Sequence, residues 1–199
     1  MNIYEVVLSR RTIRKFKQIE IDISILEKLV NAARLAPSSA NIQPLEYFIV
    51  TNPELREKIF PYLRWAGYIK PHGDPLEEEK PTAYIIILVN KNLAVGSGYK
   101  YDVGASAENI NLVALEEGLG CCWIGSFNRN KLAQILNVPD NYTADLVIAM
   151  GYPAEKPVLE EIIHGSSIKY YKDCSGTLHV PKRRVKDIVH INSFSDRIV

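Results

Sequence analysis

The sequence predicts a mixed α and β fold in one domain spanning residues 1–199. Three observations predict it. Segments with helical apolar spacing alternate with short apolar runs suited to strands. No internal repeat, low-complexity tract or long linker marks a second unit. A chain of 199 residues, 47% of them hydrophobic, is enough to bury one core without staples.

Asp22 is placed to cap a helix whose apolar positions Ile23, Leu26, Leu29, Val30 and Ala33 keep helical spacing until Pro37 stops it. Residues 45–50 read as a strand, and Asn52-Pro53 supplies a cap and a first-turn proline for a short helix over about residues 54–62. From Trp65 to Pro81, the breakers Gly67, Pro71, Gly73 and Pro75 predict a mobile loop or lid. Residues 84–89 form a second, more buried strand. A long helix follows over about residues 101–117 and ends at Gly118-Leu119-Gly120. Residues 121–124 then read as a strand, Asn128 as the cap of a helix through about Leu136, and residues 144–151 as another apolar strand. Gly96-Ser97-Gly98 lacks the strand, turn and helix that surround a dinucleotide fingerprint, and is expected to be a loop.

A formal net charge of +1 creates no whole-molecule field for nucleic acid or an anionic membrane, so an anion must be caught by a local cluster. Cys121, Cys122 and Cys174 are odd in number with two adjacent, which suits neither a disulfide framework nor a metal site; a reducing cytosol is the expected setting. The adjacent pair is expected to serve packing. His72, His164, His179 and His190 are scattered without ligand spacing, so no metal is expected. The N-terminus has no signal-peptide pattern, and the apolar runs are too short to span a bilayer.

Two basic segments and one small-residue turn are the candidate site. In an extended Arg10-Arg11-Thr12-Ile13-Arg14, the side chains of Arg10, Thr12 and Arg14 share one side while Arg11 and Ile13 take the other. Two guanidinium forks with a hydroxyl between them match a phosphate monoester. Spacing alone serves a solvated basic strand equally well. Lys182, Arg183 and Arg184 repeat the arrangement late in the chain and, on spacing alone, read first as a basic tail or helix start. Neither cluster has the aromatic platforms of single-strand binders. In residues 36–44, small residues and two prolines would let backbone approach a flat ligand, with Ser39, Asn41 and Gln43 offering polar groups; an ordinary helix-to-strand turn explains the same residues.

Taken together, Arg10 to Arg14 followed after a helix by Ala32-Ala33-Arg34-Leu35-Ala36-Pro37-Ser38-Ser39-Ala40-Asn41-Ile42-Gln43-Pro44 resembles the N-terminal signature of the nitroreductase family of flavoproteins. The resemblance continues through residues 102–110, Gly118-Leu119-Gly120, Trp123-Ile124-Gly125, Gly151-Tyr152-Pro153 and the late basic segment before Ile188. It implies an α+β fold around a central, mostly antiparallel sheet flanked by helices, and an intertwined homodimer with two FMN sites shared between subunits. On this resemblance Arg10, Arg11, Thr12 and Arg14 form the first FMN-binding segment, and two of Lys182, Arg183 and Arg184 form a late phosphate pair. Pro37, Ser38, Ser39 and Asn41, with Gln43 beside them, reach the flavin, often that of the partner.

The resemblance also implies an activity: an FMN-dependent oxidoreductase taking hydride from NADH or NADPH and reducing nitroaromatics, quinones or similar flat acceptors in alternating half-reactions. Arg14 is the candidate cation near flavin N1 and the C2 carbonyl, and the backbone of Ile124-Gly125 the candidate donor to N5; no side-chain acid is required there. Leu45 stands where many relatives have tryptophan, and Ile124 where some branches have glutamate. Trp65, Tyr68 and His72 either cover the flavin or simply pack. A specialised FMN dehydrogenase or reductive dehalogenase, and a flavin-binding sensor or store without turnover, are the competing readings.

Overall fold

The computed structural model describes residues 2–69, 73–94 and 96–194. The chain opens with a helix that the periodicity reading did not include, α1 (Ile3–Ser9). Its signal is Asn2 with Glu5 three residues on: the Asn2 side chain accepts from the Glu5 amide at 3.0 Å, and the Glu5 carboxylate accepts from the Asn2 amide at 2.9 Å. Next, α2 (Ile23–Arg34) begins at Asp22, which accepts from the Ser24 amide at 2.8 Å. It ends before Leu35, short of the proline expected to stop it. Leu26, Leu29 and Ala33 are buried, while Ile23 at the first position is exposed.

The following elements lie where the pattern predicts them, to within three residues. These are β1 (Leu45–Val50), α3 (Pro53–Ile59), β2 (Ala83–Asn90), α4 (Tyr99–Glu116), β3 (Gly120–Ile124), α5 (Arg129–Leu136) and β4 (Tyr142–Gly151). Asn52 and Asn128 cap their helices by accepting from the Leu55 and Lys131 amides. After α3 the chain tightens into a 3-10 turn at Phe60–Tyr62. Glu117 ends α4, and Gly118 follows at φ 75°, where a side chain would be strained.

The central sheet has the order β1-β2-β4-β3 with every neighbouring pair antiparallel, and helices cover both faces, so the architecture is α+β. Period-2 alternation along β2 divides its side chains between two cores. Ala83, Ile85, Ile87 and Val89 pack with residues of α2 and α4; Tyr84, Ile86 and Leu88 pack with Ile59, Leu63 and Leu132. A strand buried on both faces therefore reads as an unbroken apolar run. The same alternation sends Cys121 into the first core and Cys122 into the second. Burial pushes the two thiols up to about 12 and about 11. Opposite Ile87 and Leu88 the register of β4 slips, leaving Asp145 outside the pairing; its carboxylate takes the Lys100 ammonium.

Past Gly151 the structure adds a second sheet that the sequence pattern did not reveal, made of β5 (Val158–Ile162), β6 (Tyr171–Lys172) and β7 (Leu178–Arg183) in the order β5-β7-β6. β5 and β7 are parallel. Pro181 sits in the middle strand, but β6 pairs only with Leu178 and His179, so the missing amide of Pro181 interrupts no ladder on that side. His179 ties the sheet together. Its Nδ1 lies 2.6 Å from Glu160, its Nε2 lies 3.1 Å from Asp173, and its ring stacks on Tyr171 at 4.9 Å.

The stretch expected to be a mobile lid is partly core. Trp65 is only 4% exposed and its ring lies 5.7 Å from that of Phe60, so it packs into the core. Gly67–Ile69 and Glu77–Glu79 are 3-10 turns; Tyr68 is exposed, and His72 lies outside the described residues. Among the described residues no helix is long and apolar enough to cross a membrane.

Candidate active site

The arginine segment is held as an extended strip along the sheet. Thr12 bridges to Cys121, and the Ile13 amide donates to the Cys121 carbonyl at 3.0 Å. Farther on, the Phe16 amide donates to Glu79 at 3.0 Å and the Lys17 amide to Tyr152 at 2.8 Å. Two glycines make this approach possible. A Cβ on Gly120 would lie 2.5 Å from Ile13 Cγ1, and one on Gly151 would lie 3.0 Å from Phe16 Cβ. With Ile13 buried on the opposite side, strand alternation turns Arg10, Thr12 and Arg14 into a common groove of about 220 Å³, shared with Glu108 and Trp123.

Arg11 goes elsewhere. It lines an adjoining cavity of about 350 Å³ with Arg10, Leu115, Leu119 and Pro153, and its Nη1 donates to the Arg10 carbonyl. Its Nε is buried without a hydrogen-bond partner, and burial, with the charge of Arg10, lowers its pKa. Alternation therefore turns Arg11 away from Thr12 and Arg14, while Arg10 lines both spaces.

Each groove residue has a defined neighbour. Arg10 Nε lies 3.3 Å from Glu108, and the Arg14 amide donates to Glu155 at 2.5 Å. The Arg14 guanidinium lies over the Tyr170 ring, 4.9 Å from its centroid. At Arg14 and Trp123 the groove meets a larger pocket of about 530 Å³, walled by Trp65, Ile124, Gly125 and Tyr170 with Arg64 at its rim. Ile124 is buried and still paired with Val147, whereas Gly125 lies past the end of β3. A Cβ on Gly125 would meet nothing within 4 Å, so the backbone there faces open space. Trp123, Tyr170, Arg64 and Glu108 were missed by sequence reasoning. Trp123 lay beside a residue already singled out; Tyr170, from the distant second sheet region, carries no local signal.

Residues 37–43 form a different surface. Ser39–Asn41 is a 3-10 turn in which Ala40, Asn41 and then Gln43 take positive φ of 48°, 55° and 53°. Three such residues without glycine are strained, and the strain is held by polar contacts: the Ser39 amide donates to Asp102 at 3.1 Å and the Gln43 amide to Ser38 Oγ at 3.1 Å. Pro37, Ser38 and Gln43 line a pocket of about 140 Å³ with Tyr47, Asp102 and Ser106. At about 100° per residue, Asn111 and Asp102 point to opposite sides of α4. Since Glu108 and Asn111 face the arginine groove, α4 stands between that groove and the residue 37–43 loop of the same chain.

The late basic residues also stay apart from the groove within this chain. Lys182 and Arg183 close β7 as exposed residues. Arg183 donates to the Asp187 carbonyl at 3.0 Å, and Arg184 pairs with the Asp187 carboxylate at 3.0 and 3.2 Å. That hydrogen bond to Arg184, against the cost of partial burial, lowers the Asp187 pKa.

Chemically, the groove suits an anion at its Arg10 and Thr12 end, and the pocket beyond suits a flat aromatic body beside Trp65, Trp123 and Tyr170. Comparison with known proteins places the chain in a family. The model of the nitroreductase family matches residues 7–152, a span containing the arginine strip, the strained loop, α4 and Gly125. A Methanothermobacter thermautotrophicus protein, provisionally named NADH dehydrogenase/NAD(P)H nitroreductase, is 26% identical over 176 residues, covering 86% of this chain and 88% of that protein. A solved structure from Parabacteroides distasonis shares the fold at 22% identity, with a TM-score of 0.71 over 98% of this chain and 99% of that chain. An FMN-dependent nitroreductase from Clostridium difficile R20291 is 25% identical, with a TM-score of 0.66 over 95% of this chain and 98% of that one. The chain belongs to the nitroreductase family.

Proposed function

We propose that this protein is an FMN-dependent oxidoreductase that takes hydride from NADH or NADPH and delivers electrons to flat acceptors such as nitroaromatics or quinones. The observation that carries this reading is the shared groove of Arg10, Thr12 and Arg14, which opens at Arg14 and Trp123 into a pocket lined by Trp65, Gly125 and Tyr170. FMN fits these residues. Arg10 and Thr12 would hold its phosphate, and the open space beside the Gly125 backbone would take the ring without a side chain in the way. Bound there, the cofactor supplies a ring that accepts and returns hydride.

The residues of this chain do the rest. Arg14 brings a fixed positive charge to the junction of groove and pocket, stabilising negative charge that develops beside it. Tyr170 covers one face of that guanidinium and limits its hydration. Trp65 and Ile124, both buried, keep water from the inner wall. The residue 37–43 loop lies across α4 from the groove, so in this reading the Pro37, Ser38, Ser39, Asn41 and Gln43 of a second copy complete the site. Exposed Ile3, Tyr4, Val7 and Leu8 on α1 give the homodimer an apolar face to bury. Lys182 and Arg184 would then reach a phosphate only through rearrangement or across that interface.

The test is colour. The purified protein should be yellow, and NADH or NADPH added without oxygen or acceptor should bleach it. A double Arg10→Ala, Arg14→Ala variant should lose the flavin and keep its far-ultraviolet circular dichroism. A colourless protein that cannot be loaded with FMN overturns the reading.

A further inference from the structure

We propose that Arg64 makes this pocket selective for planar reactants carrying an anionic group, an inference that rests on the FMN reading above and names the substrate class of the same site. Two guanidinium side chains line the pocket beyond the Arg14 and Trp123 junction, those of Arg14 and Arg64, and no carboxylate lines it among the described residues. Arg14 is already occupied by the Tyr170 ring.

Arg64 is anchored through its backbone and free at its head. Its amide donates to the Ser126 carbonyl at 3.0 Å, and the residues on either side, Leu63 and Trp65, are buried. Leu63 also bridges to Phe127. The Cα is thus fixed at the rim while the side chain is exposed. Its guanidinium makes one long hydrogen bond, 3.4 Å to the Pro61 carbonyl, and no ion pair of Arg64 is found among the described residues. A planar, weakly hydrated cation without a counterion, beside Trp65, Trp123 and Tyr170, suits an aryl carboxylate, an aryl sulfonate or a phosphate on a stacked ring. The anion has two chemical sources: the acceptor's own substituent, or the 2′-phosphate of the hydride donor.

An Arg64→Gln variant separates them. Its side chain is exposed, so flavin retention and melting temperature should match the parent protein. In the acceptor arm, kcat/KM is measured for 4-nitrobenzoate and for neutral 4-nitrotoluene; in the donor arm, flavin reduction is followed with NADPH and with NADH. A loss of about tenfold for the charged member of either pair, carried by KM or apparent Kd, with less than twofold for its neutral or less charged counterpart, supports the proposal and identifies the source. Equal effects within both pairs overturn it. Quenching of tryptophan fluorescence by 4-nitrobenzoate in flavin-free protein distinguishes this failure from failure of the FMN reading. Weaker quenching in the variant supports the anion site even in a protein that never turns yellow, and unchanged quenching together with unchanged reduction by NADPH counts against it.

Discussion

Ile13 rests on Gly120 so closely that no side chain fits between them: a Cβ on Gly120 would lie 2.5 Å from Ile13 Cγ1. This contact sets the height of the arginine strip above the sheet and therefore the direction of Arg10, Thr12 and Arg14. A Gly120→Ala substitution should cost about 1–3 kcal/mol through overpacking. It should also weaken FMN binding, although Gly120 does not line the arginine groove. Urea denaturation and flavin titration measure the two effects. Wild-type flavin affinity in a destabilised G120A protein would separate the strip from the site.

Trp65 should behave as a core residue and Tyr68 as a surface one. Trp65→Ala is expected to cost about 3–5 kcal/mol, whereas Tyr68→Ala should stay within about 0.5 kcal/mol. Trp65→Phe should cost less than the alanine change, because it keeps packing against Phe60 and also removes an indole N–H that has no partner. Chemical denaturation of the three variants checks the order.

The cysteines should separate cleanly by reactivity. Cys174 is exposed, while Cys121 and Cys122 are buried with thiols pushed up to about 12 and about 11. Ellman's reagent at pH 8 should modify one thiol in the native protein and three in guanidinium. Rapid native labelling of a second thiol would show that one core opens readily.

The second sheet should be firmest in mildly acidic solution. The hydrogen bond to Asp173, joined by Glu160, raises the His179 pKa against the cost of burial. This contribution is fully present below the ordinary imidazole value of 6.5 and is lost as pH rises through the raised folded value. Hydrogen bonds from Ser175 and His179 lower Asp173 to about 2, so its contribution is present above 3.8 and lost as pH falls from there through about 2. Hydrogen exchange at β5 and β7 amides, corrected for intrinsic rates, should show greater protection at pH 5.5 than at pH 8.5. His179→Gln should flatten the difference.

What the sequence disclosed follows from where its signals come from. Helices α2, α4 and α5 and the four strands of the central sheet carry their own periodicity and caps, so they are legible locally. α1 was overlooked because its apolar residues face solvent, although Asn2 and Glu5 announced the cap. The second sheet escaped because β5 and β7 are only partly buried and join through pairing distant in the chain, with a proline in the middle strand. At the site, alternation correctly grouped Arg10, Thr12 and Arg14. The same rule turns Arg11, which the resemblance groups with them, to the other side of the strip, where it lines a cavity with Arg10. Tyr170 and Arg64 reach the pocket through tertiary packing that no local pattern encodes.

The position of α4 between the arginine groove and the residue 37–43 loop bears on heredity as well as on binding. In the dimer proposed above, each site would draw its two walls from two copies of the chain. A chain lacking Arg10 and Arg14 and a chain damaged at Asn41 would each be inactive as a pure pair. Coexpressed, they would assemble mixed pairs in which both lesions fall on one site and the other is whole, so two failed alleles would restore part of the activity to the cell that carries both.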